Sequence, residues 1–146
     1  MERKRTLSKY LLPYEVCEEL DRLKTQKEKI LFIQQYQSFA LRTIVQLNFN
    51  DKIKLDLPDG KPPYRVEQCP QSALHAATKN AFKGIGRLAV GSNLPTLKKE
   101  SMFIRMLETL NAKDAEMLWR AKDGKLEELY PKLTRKLVEK IWPTIL

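Results

Sequence analysis

The chain reads as an all-α domain, or as α with a minor two-stranded element, forming a compact bundle of about six or seven short helices. Two observations carry this. Apolar residues recur at three- and four-residue spacing along most of the chain, the signature of helices with one buried face. Helix-starting residues stand in front of those runs: Thr25 with Glu28, Ser38, Thr96, Asn111 with Asp114, and Thr134. Only Ile53–Leu57 alternates with period two, which predicts a short strand or extended segment.

Taken in order, residues 1–9 are a basic N-terminal arm with Arg3, Lys4, Arg5 and Lys9. Pro13 suits a first helical turn, and Val16, Leu20 and Leu23 follow at helical spacing. Thr25 opens a second helix with Ile30, Leu31 and Ile33. Ser38 opens a third with Leu41, Ile44, Val45 and Leu47. Residues 50–69 form an ordered connector between two helical halves, with a turn at Pro58-Asp59-Gly60 and enforced extension at Pro62-Pro63. Beyond it Leu74, Ala77, Ala81, Ile85 and Leu88 form a helical stripe that Gly84 and Gly86 weaken. Thr96 then opens a helix with Phe103, Met106, Leu107 and Leu110. Asn111 opens one with Ala115, Leu118 and Trp119 that stops near Gly124. A short helical piece near Leu126 ends at Pro131, and a last helix runs from Thr134 to Pro143. The whole is expected to be one domain, 1–146.

Composition excludes several chemistries. Hydrophobic residues make up 42% and charged residues 31%, enough for a core without metal or disulfides. Two cysteines, Cys17 and Cys69, make no disulfide framework and suit a reducing cytosol. With His75 the one histidine, neither a histidine-rich nor a four-ligand zinc site is available within the chain. No apolar run approaches a membrane span, and the basic N-terminus develops no apolar signal-peptide core.

Charge is the most informative feature. The net charge is +9, and between Gln68 and Lys99 there is no acid at all, only Lys79, Lys83, Arg87, Lys98 and Lys99. His75, Lys79, Lys83 and Arg87 step by four, which keeps them on one face of a helix, apart from the apolar stripe. Clustered cations of this kind suit nucleic-acid phosphates. A solvated face would show the same pattern, but like charges at four-residue spacing repel, which favours a ligand. Arg135 and Lys136 form a second basic group, beside Lys132 and Lys140. The predicted nucleic-acid contacts are therefore Lys79, Lys83, Arg87, Lys98, Lys99, Arg135 and Lys136.

Catalytic patterns do not assemble. Gly86 and Gly91 have the phosphate-loop step, but Ser92 stands where the lysine is required. Cys69 and His75 are separated by Pro70, with nothing to bring them together. Glu108, Asp114, Glu116, Asp123, Glu127 and Glu128 read as caps and surface pairs. The expectation is a protein without catalysis or cofactor. The ending Ile141-Trp142-Pro143-Thr144-Ile145-Leu146 is unusually apolar. It either docks on the core or supplies Trp142, Ile145 and Leu146 to the pocket of a partner protein.

The succession Leu57-Pro58-x-Gly60-x-Pro62-Pro63-Tyr64, Phe103-Ile104-x-Met106-Leu107-Glu108, Asp114-Ala115-Glu116, Lys122-Asp123-x-Lys125-Leu126, Leu133-Thr134-x-Lys136-Leu137-Val138 and Trp142-Pro143 resembles a family of small proteins of contractile-tailed bacteriophages, notably cyanophages. The likeness spans roughly residues 10–146. It departs at Trp142, where Phe is expected, and along 73–90. The resemblance implies a phage protein acting in the host bacterial cytoplasm or packaged in the virion. It brings no activity with it. The leading expectation is an accessory protein that binds nucleic acid, with or without a replication or transcription partner. The alternative is a protein-binding adaptor, a virion component or modulator of a host enzyme, that uses the apolar tail.

Overall fold

A computed structural model describes residues 11–65 and 78–144. These residues form an all-α bundle: α1 (Pro13–Glu19), α2 (Gln26–Tyr36), α3 (Phe39–Phe49), α4 (helical over 78–83), α5 (Thr96–Thr109), α6 (Ala112–Lys122) and α7 (Arg135–Ile141). Two 3-10 turns, Ile85–Leu88 and Leu126–Glu128, follow α4 and α6. The N-terminal arm, Cys69, His75, Ile145 and Leu146 lie outside the described residues.

Local chemistry sets the helix ends. Backbone N–H groups at a helix start lack partners within the helix, and short polar side chains supply them. Thr25, Ser38 and Thr134 hydroxyls accept from Glu28 N at 3.1 Å, Leu41 N at 3.1 Å and Leu137 N at 3.2 Å. Asn111 Oδ1 accepts from Lys113 N at 2.9 Å. In α5 the cap position falls on Pro95 and Thr96 is the first helical residue, so the helix starts one place earlier than a Thr96 cap predicts. At the end of α6, Gly124 takes φ +72° while its N–H and that of Lys125 close onto Ala121 O and Arg120 O. That left-handed turn is where glycine is favoured.

Helix α6 is the hub, packing against α1, α3, α5 and the second 3-10 turn, while α2 packs on α7. Phe82, Ile44, Val45, Leu107, Met117, Leu118 and Val138 are fully or almost fully buried in one continuous core. Burying a side chain of this size contributes about 1.5–3 kcal/mol.

The connector is ordered by long-range contacts over its described part. Its predicted strand is reduced to a single antiparallel bridge, Leu55 to Ala89, with Asp56 N donating to Leu88 O at 2.7 Å and Val90 N to Lys54 O at 3.1 Å. The expected two-stranded element is therefore absent among the described residues, and the single bridge joins the connector to the segment after α4. Farther on, Lys122 Nζ donates to Pro58 O at 2.8 Å and to Gly60 O at 3.3 Å, and Gly60 N donates to Asp123 Oδ2 at 2.8 Å. Arg65 N donates to Glu108 Oε2 at 2.9 Å.

Two of the supposed surface carboxylates are thus internal. The Asp123 side chain is 5% exposed against Lys122 at 4%. Asp114 is fully buried and accepts from Tyr14 N at 2.8 Å, across 100 residues of sequence. Glu116 and Glu128 are surface partners of Arg120, as expected.

Candidate nucleic-acid interface

Helix α4 carries Lys79 and Lys83, both exposed, one turn apart on either side of the buried Phe82. Gly84, with φ −94° and ψ 3°, ends the helix and leads into the first 3-10 turn. Ile85 and Leu88 anchor that turn in the core and leave Arg87 exposed. The predicted straight stripe therefore bends at Gly84, and Arg87 sits on a tighter turn than Lys79 and Lys83. Ser92 Oγ donates to Arg87 O at 2.6 Å, which holds the backbone beneath the guanidinium.

Lys98 and Lys99 are adjacent in sequence and opposite in fate. Lys98 is exposed in the first turn of α5. Lys99 is 2% exposed, with Nζ donating to Asp56 Oδ2 at 2.8 Å and to Ala89 O at 3.1 Å. Lys99 is thereby withdrawn from the predicted contact set. Its position explains why: it is in phase with Phe103, Met106 and Leu107, the buried face of α5. The ammonium acts instead as a strut that ties α5 to the bridge segment below Arg87.

The second basic group is also divided. Arg135 Nη2 donates to Phe49 O at 2.6 Å, so its guanidinium is partly committed to the last turn of α3. Lys136 is exposed. Both belong to α7, which packs on α2, whereas the turn bearing Arg87 packs on α5. Lys79, Lys83 and Arg87 follow one another along α4 and the turn after it, and that turn packs on α5, the helix that carries Lys98.

Among the described residues, none of these four cations forms an ion pair with an acid. Several acids are engaged elsewhere: Glu18 with Lys113 at 2.6 Å, Glu116 and Glu128 with Arg120 at 2.9 and 2.6 Å, Asp123 with Lys122 at 2.6 Å, and Asp21 with Lys132 at 3.5 Å.

Beside this face lies an open groove of about 450 Å³, lined by Asn80 and Ala81 of α4 and by Met102, Arg105, Met106 and Thr109 of α5. The exposed Arg105 adds a cation that the sequence reading passed over, because it lies beyond the acid-free window.

The remaining chemistry is quiet. Burial pushes the Cys17 thiol well above its ordinary range, with the Asp114 and Glu18 charges adding to the effect, so it stays protonated. Among the described residues no cluster of three or more His, Cys, Asp or Glu is disposed to hold a metal ion. None of the described helices is long and apolar enough to cross a membrane. The tail's Trp142 packs against the core, its indole N–H donating to Gln37 Oε1 at 2.8 Å. Trp142 is thus seated on the chain's own fold in this structure.

No curated protein and no solved structure matches the chain. A family model described as a family of unknown function (DUF6433) matches residues 16–128, and the chain belongs to that family.

Proposed function

We propose that this chain is a non-catalytic accessory protein that holds nucleic acid by its phosphates through Lys79, Lys83, Arg87 and Lys98, with Lys136 as a peripheral contact. The observation that carries the reading is the set of four exposed cations without acidic partners among the described residues. Lys79 and Lys83 stand on α4, Arg87 on the 3-10 turn after it and Lys98 in the first turn of α5. Each lysine or arginine that meets a phosphate releases a condensed counter-ion, which drives binding without reading sequence. The resemblance to small phage proteins supports a bacterial host cytoplasm as the place of action.

The test is charge reversal at exposed positions, which leaves the core untouched. Lys79→Glu, Lys83→Glu and Arg87→Glu together are expected to weaken binding to a short DNA duplex by at least about tenfold at low salt. Helicity and melting should be unchanged. Equal affinity of the reversed and native proteins would remove this face from the binding surface.

A further inference from the structure

Helix α1 is held by a carboxylate that has no cation beside it. Asp114 Oδ1 accepts from Tyr14 N at 2.8 Å, while Oδ2 is buried and has no hydrogen-bond partner. The groups around it oppose its charge. Glu15 and Glu18 of α1 both raise its pKa, and Glu15 is itself committed to Leu12 N at 2.8 Å. Cys17 and Tyr14 of α1 and Tyr130, after the second 3-10 turn, feel the Asp114 charge. Lys113, next to it on α6, is spent on Glu18 at 2.6 Å and lies over the Tyr14 ring. From the other helices on α6, α3 buries only uncharged residues, and the buried Lys99 of α5 is committed to Asp56.

We propose that Asp114 is a proton-operated latch on α1: protonated, it lets α1 lie closed on α6, and ionised, it loosens that contact. An ionised carboxylate without water or a counter-cation is costly to bury, whereas the protonated acid still accepts from Tyr14 N through Oδ1. Burial, the largest cause, raises the Asp114 pKa from 3.8 to about 7. Glu15 and Glu18 push the same way, and the Tyr14 N–H opposes them. The direction of the pH effect follows. Below about 3.8 the carboxyl is protonated whether α1 is closed or open. Between there and about 7 the closed form keeps a proton that the open form has lost. The closed form therefore loses stability as pH rises through this window, and the loss is complete above about 7. The inference stands apart from the nucleic-acid reading.

Backbone amide exchange of the α1 segment, divided by the intrinsic rate at each pH, reports the opening directly. In the native protein the protection of α1 is expected to fall by about tenfold or more from pH 5 to pH 8, while the α5 amides change less. Asp114→Asn keeps the acceptor for Tyr14 N and removes the titration, so its α1 protection should be flat. A native profile without this fall, or the same fall in Asp114→Asn, overturns the latch. Should the variant fail to fold, carbon-detected NMR titration of the native Asp114 carboxyl decides: a pKa near neutrality supports the latch, and one below about 5 contradicts it.

Discussion

Lys99 and Asp56 show how unequal the two ends of one ion pair are. The Lys99 side chain is 2% exposed and that of Asp56 is 40% exposed. Removing Asp56 strands a buried ammonium, whereas removing Lys99 leaves a carboxylate that water already reaches. Asp56→Ala should therefore destabilise the fold by about 3 kcal/mol, and Lys99→Met, which keeps much of the side-chain volume, by only about 1 kcal/mol. Urea unfolding of the two variants checks the order, and a larger loss for Lys99→Met contradicts it. The signal for this burial was present in the sequence. Lys99 repeats in phase with Phe103, Met106 and Leu107, and Asp114 in phase with Leu118 and Ala121. A charge register within a window says how many cations there are. Helical phase says which of them reach water: it places Lys79 and Lys83 on an outer face and Lys99 on the apolar face of α5.

At the scale of elements, the connector and α6 form one unit. Lys122 Nζ meets two carbonyls of the Pro58–Gly60 turn and the Asp123 carboxylate, and Asp123 in turn accepts from Gly60 N. The motif Leu57-Pro58-x-Gly60-x-Pro62-Pro63-Tyr64 is thus gripped by Lys122-Asp123, and by Glu108 through Arg65 N. Three of the motifs behind the phage resemblance are the parts of one clamp. Lys122→Met should cost about 3 kcal/mol, because it leaves a buried Asp123 charge and two carbonyls without their donor. Thermal melting measures it, and a loss below about 0.5 kcal/mol would exclude the clamp as a structural element. Helix starts at Thr25, Ser38, Asn111 and Thr134 were legible because capping is a contact within three residues. The Leu55–Ala89 bridge and the Asp114–Tyr14 bond were not, since their partners lie far apart in sequence and no local pattern encodes them.

For the whole molecule, the decisive property is how a net charge of +9 is distributed. Ion pairs spend several acids on cations of α6 and its neighbours, whereas Lys79, Lys83, Arg87 and Lys98 form no ion pair among the described residues. The acid-free window was legible in the sequence, and four of its five cations, Lys79, Lys83, Lys98 and Lys99, stand on helices as expected. Arg87 moved to a 3-10 turn because Gly84 ended the helix, and Lys99 turned inward. Lys79, Lys83, Arg87 and Lys98 remain exposed, on α4, on the 3-10 turn that packs on α5, and in the first turn of α5.

The salt dependence of affinity for a short DNA duplex tests this account most directly. With Lys79, Lys83, Arg87 and Lys98 on phosphates, log K should fall with log salt at a slope of about −3 to −4. Reversing Lys79, Lys83 and Arg87 should bring that slope to about −1 or flatter. A slope near zero in the native protein, or one that the reversals leave unchanged, would contradict phosphate binding at this face.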